Sequence, residues 1–270
     1  MAKILTIYCE GKKGSHDFDI LEKIVGDMAV TIKPIGGKRG ANAIIGFSEM
    51  GTVQSDYYLF FRDRDFDCSV SEKEELTIDK NTHFSHRTTI ENYLFDVKIF
   101  YQFLVENKFK DKYNLRSEDE VKDFFIEIAK DIKYYQAVRH TLGQLRFPNS
   151  FDTTWTDGSG YLPAKLDLDA CKTEAWKLIS DVVSRTNKDW TKDKFDSTLE
   201  SFLKLFDEKF FNDLKFLIYF QGKDFAKVLT NKLSDFPLKD YYKYAKKNFN
   251  YTKYADLVQL REIIRKNFMS

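Results

Sequence analysis

Four carboxylates in the first hundred residues stand where chemistry could be done. Glu10 directly follows an apolar, β-rich run, in Cys9-Glu10-Gly11-Lys12. Asp63 and Asp65 follow another such run, in Phe61-Arg62-Asp63-Arg64-Asp65. Glu91 follows an extended-looking stretch, in Arg87-Thr88-Thr89-Ile90-Glu91-Asn92-Tyr93. Side chains alternate along extended backbone, so an Asp-x-Asp pair there points both carboxylates to one side. Carboxylates gathered together repel, and a divalent cation relieves that repulsion. Oxygen ligands without histidine or cysteine suit Mg2+ or Mn2+. Glu10, Asp63, Asp65 and Glu91 are therefore the expected metal ligands, with Glu10, Asp63 and Asp65 also the expected catalytic groups. Any one of these residues alone reads more simply as a turn residue or a helix cap. The combination carries the weight.

The elements that must position them alternate. Ile4–Cys9, Val30–Ile35 and Tyr57–Phe61 have the apolar, β-branched and aromatic character of strands, the last as a continuous run that implies burial on both faces. Ser15 is placed to cap a helix through about Val25, with Gly26 as its stop. A short helix is expected over Ala41–Met50. A β-α-β-α-β order implies a parallel sheet whose site lies at the C-terminal strand ends. Glu10 and Asp63 would then be neighbours despite their separation in sequence. Past residue 96 the period changes to that of helices: from Asp96 as cap to about Asn107, from the capping-box segment Ser117-Glu118-Asp119-Glu120 through a long stretch from Val121 to about Leu145, and over 170–185, 194–220, 223–233, 238–248 and 253–268. The expected organisation is an α/β catalytic domain over 1–96 and a mostly helical domain over 97–270 packed on it.

Candidate phosphate or nucleic-acid contacts are Lys12, Lys13, Lys38, Arg39 and Arg64, with Gly36, Gly37 and Gly40 letting backbone approach a phosphate. The Gly-x-x-x-x-Gly-Lys-Ser/Thr pattern of a P-loop is absent. Arg62 and Arg64 flank Asp63 and either hold a carboxylate in place or meet substrate. The stretch Tyr241-Tyr242-Lys243-Tyr244-Ala245-Lys246-Lys247 mixes aromatics with cations as base-stacking surfaces do, although helical spacing makes most such aromatics core. His16, His83, His86 and His140 show no ligand spacing.

Composition limits the alternatives. The chain has 270 residues, 43 Lys+Arg against 42 Asp+Glu, and 25 Phe with 15 Tyr, which excludes a disordered chain and a uniformly basic nucleic-acid binder. Residues 1–100 carry 13 Lys+Arg and 16 Asp+Glu, a net of −3, and the remaining 170 carry 30 and 26, a net of +4. No apolar run reaches the length of about 18 residues that a membrane helix needs. The start reads as no signal peptide, and three cysteines without metal or disulfide spacing fit a reducing cytoplasm.

Glu10-Gly11-Lys12 after the first strand, Asp63-Arg64-Asp65 after the third, and the glycine loop at Gly36-Gly37-Lys38 together resemble the TOPRIM domain, over about residues 3–96. TOPRIM is the metal-binding fold of topoisomerases, primases and OLD-family nucleases. An Asp commonly found soon after Glu-Gly-Lys has Asp17 as its nearest match. Ile90-Glu91-Asn92-Tyr93 and Phe220-Gln221-Gly222-Lys223 resemble segments of small OLD-like TOPRIM proteins, a group that includes the AriB-like effector nucleases of the PARIS anti-phage defence system. The resemblance implies a Mg2+-dependent nuclease with Lys223 as a further catalytic candidate. It also implies an ABC-type ATPase partner, tRNA as a candidate substrate and a homodimer when released. At a helix start, Lys223 is placed to meet the charge of a reacting phosphate. Two readings from other classes stand beside it: a non-catalytic binding or regulatory module on the same scaffold, and a phosphatase-like hydrolase with Asp63 as nucleophile. The second is disfavoured because that chemistry normally wants its Asp-x-Asp after the first strand.

Overall fold

A computed structural model describes residues 5–36, 58–66, 68–147, 162–184 and 190–268. The expected helix over Ala41–Met50, and with it Lys38 and Arg39, lies outside the described residues. The chain is α/β and divides into two compact units. The first comprises Met1–Arg64, Val70–Leu94 and Tyr242–Ser270, and the second Asp65–Ser69 and Phe95–Tyr241. The expected change near residue 96 corresponds to the break at Leu94, but the C-terminal segment belongs with the sheet rather than with the other helices, and five residues after the third strand belong with the helices.

In the first unit, β1 (Leu5–Cys9), β2 (Val30–Pro34), β3 (Tyr58–Arg62), β4 (Thr77–Asp79) and β5 (Thr82–Phe84) form one sheet in the order β2-β1-β3-β5-β4. All neighbours are parallel except the edge pair β4 and β5. β4 and β5 were not expected from the sequence. Each has only three residues, too few to show a period, and β4 is mostly exposed. β3 is buried at every position, as a continuous apolar run requires. The helix α1 (His16–Val25) covers the sheet with Phe18, Ile20, Leu21, Ile24 and Val25 and stops at Gly26, whose φ of 57° suits glycine.

The C-terminal segment is tied to this unit by specific polar contacts. Asp256, fully buried, accepts hydrogen bonds from the His86 amide at 2.9 Å and from the Tyr93 hydroxyl. Tyr254 donates to the Tyr93 carbonyl at 3.1 Å, and Arg87 lies over both rings. Arg261 donates to the Ile24 and Val25 carbonyls at the end of α1. Burial and the Asp256 carboxylate hold the Tyr93 hydroxyl well above the usual tyrosine range, so it stays a donor. Removing Asp256 orphans two buried donors at roughly 1–3 kcal/mol each. Asp256→Ala is expected to cost several kcal/mol of stability in urea unfolding, far more than Asp256→Asn, whose carbonyl still accepts.

The described helices of the second unit are α2 (Val97–Glu106), α3 (Glu118–Asp131), α4 (Lys133–Gln144), α5 (Leu168–Val183), α6 (Lys192–Leu205), α7 (Glu208–Asn212), α8 (Phe216–Tyr219) and α9 (Gly222–Lys232). The unit boundary falls inside α10 (Leu238–Asn248), and α11 (Ala255–Phe268) belongs to the first unit. The expected long helix beyond Val121 is two helices with a break at Ile132, and 194–220 is three. In both places buried aliphatic or aromatic side chains continue across the break, so the apolar pattern shows no interruption. Asp96 caps α2 through the Ile99 amide at 2.9 Å. Ser117 caps α3 through Glu120, whose carboxylate reaches back to the Arg116 amide. Two aromatic clusters fill the unit, Phe95, Phe100, Phe103, Phe125 and Tyr241 in one and Phe206, Phe210, Phe216 and Phe220 in the other. Each such ring contributes about 1.5–3 kcal/mol by leaving water. No helix of the described residues is long and apolar enough to cross a membrane.

Candidate functional site

The site in the first unit is built at the C-terminal ends of β1 and β3. Cys9 pairs in register with Phe61, so Glu10, one residue on, stands level with Arg62. Arg62 Nε donates to Glu10 Oε1 at 2.6 Å, with the two side chains only 10% and 20% exposed. Of the two roles open to Arg62 in the sequence, holding a carboxylate is the one the structure adopts. Its guanidinium also lies 5.6 Å from the Phe84 ring centroid.

Asp63 Oδ1 accepts from the Ile90 amide at 2.8 Å, which anchors the 3₁₀ turn Ile90–Tyr93 carrying Glu91. Glu91 is therefore inside a turn rather than after a strand. It is 8% exposed, and its Oε2 has no hydrogen-bond partner among the described residues. His16, at the start of α1, packs against Tyr242 at 4.4 Å between centroids. Its Nδ1 is likewise buried without a partner among the described residues. Burial lowers the His16 pKa, an effect that Lys246 reinforces and Glu91, Asp17 and Asp19 oppose. Burial and Glu91 together push the Tyr242 hydroxyl up.

Asp17 has a role the sequence left open. Its Oδ2 accepts from the Gly11 amide at 2.7 Å, and the single Ser15 hydroxyl proton has Asp17 Oδ1 and the Lys12 carbonyl, the latter at 2.6 Å, as alternative acceptors. Ser15 thus serves this turn and makes no cap bond to α1. A Cβ at position 11 would lie 2.1 Å from Ser15 Oγ and 2.3 Å from Asp17 Oδ1. Glycine is required there because the turn closes over it, and the turn aims Glu10. Lys12 and Lys13 are exposed beside it.

Two expectations are corrected. The extended Asp63-Arg64-Asp65 geometry does not occur. β3 ends at Arg62, and Asp65 has φ 47°, a left-handed turn conformation that breaks the alternation on which the paired-carboxylate argument rested. Arg64 is not a nucleic-acid contact. It is 1% exposed, donates to the His86 carbonyl at 3.1 Å and to Thr88 Oγ1 at 2.9 Å, and braces the segment between β5 and the 3₁₀ turn. In the Tyr241–Lys247 stretch Tyr241 and Ala245 are core and Lys246 bonds Asp19, while Lys243 and Lys247 are exposed.

In the second unit, Asp65 is 8% exposed. Lys223 is exposed in the first turn of α9, which begins at Gly222 as the Gly-Lys segment implied. The backbone before it is fixed by the Gln221 amide donating to Gln136 Oε1 at 2.9 Å.

For the divalent cation the donor chemistry is suitable in kind, because Glu10, Asp63 and Glu91 are all hard oxygen ligands and Glu91 keeps one oxygen open. The arrangement is not. Glu10 is engaged by Arg62 and Asp63 by the Ile90 amide. Among the described residues no group of three or more His, Cys, Asp and Glu is placed to hold a metal ion. As they stand, the residues do not fit the ion.

Acidification should expose the buried histidines. Burial lowers the pKa of His16, His83 and His86 below the ordinary value near 6.5. In that window the unfolded chain binds protons that the folded chain does not, so stability falls as pH drops below about 6.5 and is unaffected above it. Each histidine contributes a slope of up to roughly 1.4 kcal/mol per pH unit. Urea unfolding at pH 7.5 and 5.5 should show the loss, and His83→Gln with His86→Gln should reduce it.

No protein-family model matches the chain, and no curated protein matches it significantly.

Proposed function

We propose that the chain is a nuclease that hydrolyses phosphodiester bonds in nucleic acid. The observation that carries the reading is the placement of Glu10 and Asp63 at the ends of two adjacent parallel strands, with Glu91 anchored through Asp63. That is where an open α/β sheet does chemistry, and these are the residues on which the resemblance to OLD-like TOPRIM nucleases rests. Under this reading, water attacks phosphorus, the ester P–O bond breaks, and the leaving oxygen takes up a proton from solvent. Glu10 takes the proton of the water, and Arg62, 2.6 Å from that carboxylate, holds it in place. Asp63 holds the Ile90–Glu91 turn. Lys12 and Lys13 meet flanking phosphates, and the resemblance keeps Lys223, in the second unit, as a further catalytic candidate. Asp65 is retained as a candidate catalytic carboxylate.

The AriB-like resemblance extends the proposal to a cytoplasmic anti-phage effector, held by an ABC-type ATPase, acting as a homodimer when released, with tRNA among its substrates. The resemblance also implies dependence on Mg2+ or Mn2+, which the arrangement of Glu10 and Asp63 does not fit. The ion pair of Glu10 with Arg62 favours a second reading, a non-catalytic binding or regulatory module on this scaffold. A cleavage assay beside a nucleic-acid binding assay separates the two. Cleavage that Glu10→Gln abolishes supports the nuclease, and binding without cleavage supports the module.

A further inference from the structure

The second unit contains a buried polar cluster that the proposed chemistry does not use. Arg139, on α4, is 2% exposed. Its Nη1 donates to Asp224 Oδ2 at 2.6 Å and to Gln221 Oε1 at 2.5 Å. Gln136, one turn earlier on α4, donates to the same Asp224 oxygen at 2.9 Å and accepts from the Gln221 amide at 2.9 Å. These bonds fix residues 221 and 224, on either side of Lys223, to α4. The other side of the guanidinium faces the loop after β3, with Cζ 4.6 Å from the Phe66 ring centroid. Phe66 is pinned from two more directions. His140 meets its ring edge-on at 4.8 Å, and Gly143 passes so close that a Cβ there would lie 2.6 Å from the Phe66 carbonyl oxygen. Phe66 is the residue after Asp65, whose left-handed backbone this packing holds.

We propose that Arg139 is a positioning residue that sets the Asp65 loop and the Lys223 helix start relative to each other for phosphodiester cleavage. The inference rests on the nuclease reading. Stability alone does not account for the cluster, because an ion pair this buried loses hydration that apolar side chains of the same volume would not. What the pair supplies is direction. A planar guanidinium with fixed donors and a stacking face holds two segments at defined distances, which neither lysine nor an apolar side chain does. Displacing a catalytic group by about 1 Å costs on the order of a hundredfold in rate.

The test replaces the pair by the apolar double variant Arg139→Met with Asp224→Leu, and follows cleavage of a nucleic acid that the unaltered chain cuts. The variant is expected to fold, melting somewhat below the wild-type temperature because Gln136 Nε2 and Gln221 Oε1 lose their partners, while kcat falls roughly ten- to a hundredfold with KM little changed. In a Lys223→Ala background the same replacement should lower kcat by a smaller factor than in the unaltered chain, because one of the two positioned groups is gone. Phe66→Leu keeps the ion pair and slackens only the Asp65 side, so it should lower kcat even if the double variant folds poorly. Unchanged kcat in both variants, or a full further loss in the Lys223→Ala background, overturns the inference alone. An unaltered chain that cuts no nucleic acid overturns the nuclease reading and this inference with it.

Discussion

Glu10→Gln should reduce cleavage at least about a hundredfold while leaving the fold in place. The amide is isosteric with the carboxylate, and its oxygen still accepts from Arg62 Nε. What is lost is the negative charge and the capacity to take a proton, and general-base catalysis is worth about 10²–10⁴ in rate. The stability cost is confined to an Arg62 charge that keeps its hydrogen bond but loses its counter-ion. Glu10→Ala also ends activity but leaves Arg62 without an acceptor at 10% exposure, so a loss of function there mixes two causes. Asp63→Asn is the companion variant. Its amide oxygen still accepts from Ile90, which keeps the Glu91 turn anchored. Cleavage assays and toxicity on induced expression, each beside a melting curve, are the measurements. Retained toxicity in both variants would sink the assignment.

The largest stability effect is expected at Arg139. Arg139→Met alone leaves the Asp224 carboxylate, 2% exposed, with Gln136 and a partly exposed Lys227 as its remaining polar neighbours. Breaking a buried ion pair by deleting one partner costs about 3–5 kcal/mol. Asp224→Leu alone should cost a similar amount, because Arg139 is then buried without its carboxylate. Together the two substitutions should recover part of the loss, since no uncompensated charge remains although Gln136 Nε2 and Gln221 Oε1 lose their partners. Urea unfolding of the four members of the cycle gives the coupling energy directly. Additive losses would mean that the pair is not the unit holding these helices together.

Much of the first unit was legible because its strands and helix carry their own signals. Leu5–Cys9 and Tyr58–Arg62 are apolar runs bounded by charge, and α1 has an apolar face ended by Gly26. Glu10 and Asp63 were found because strand ends are where such folds keep their chemistry. The partners of these residues were not legible. Nothing in the spacing tells that Arg62 turns to Glu10 while Arg64 turns inward, although both flank Asp63. Alternation along a strand gives opposite sides to neighbours, but β3 ends at Arg62 and the rule stops with it. The same limit undid the Asp63–Asp65 pair, because no residue type announced a left-handed turn at Asp65. Asp256 was invisible for another reason. Its partners, His86 and Tyr93, lie 170 and 163 positions away, and a lone Asp in a helix's first turn reads as a solvated residue. Arg139 was hidden in the same way, as one cation in a helix whose buried face is unusually polar.

The most direct test of the central claim is to incubate the purified chain with tRNA, single-stranded DNA and duplex DNA in Mg2+ or Mn2+ and to sequence the ends produced, beside Glu10→Gln and Asp63→Asn. The account predicts discrete new ends from the unaltered chain on at least one substrate, and none from either variant. No new ends from the unaltered chain, or the same ends from both variants, would contradict it.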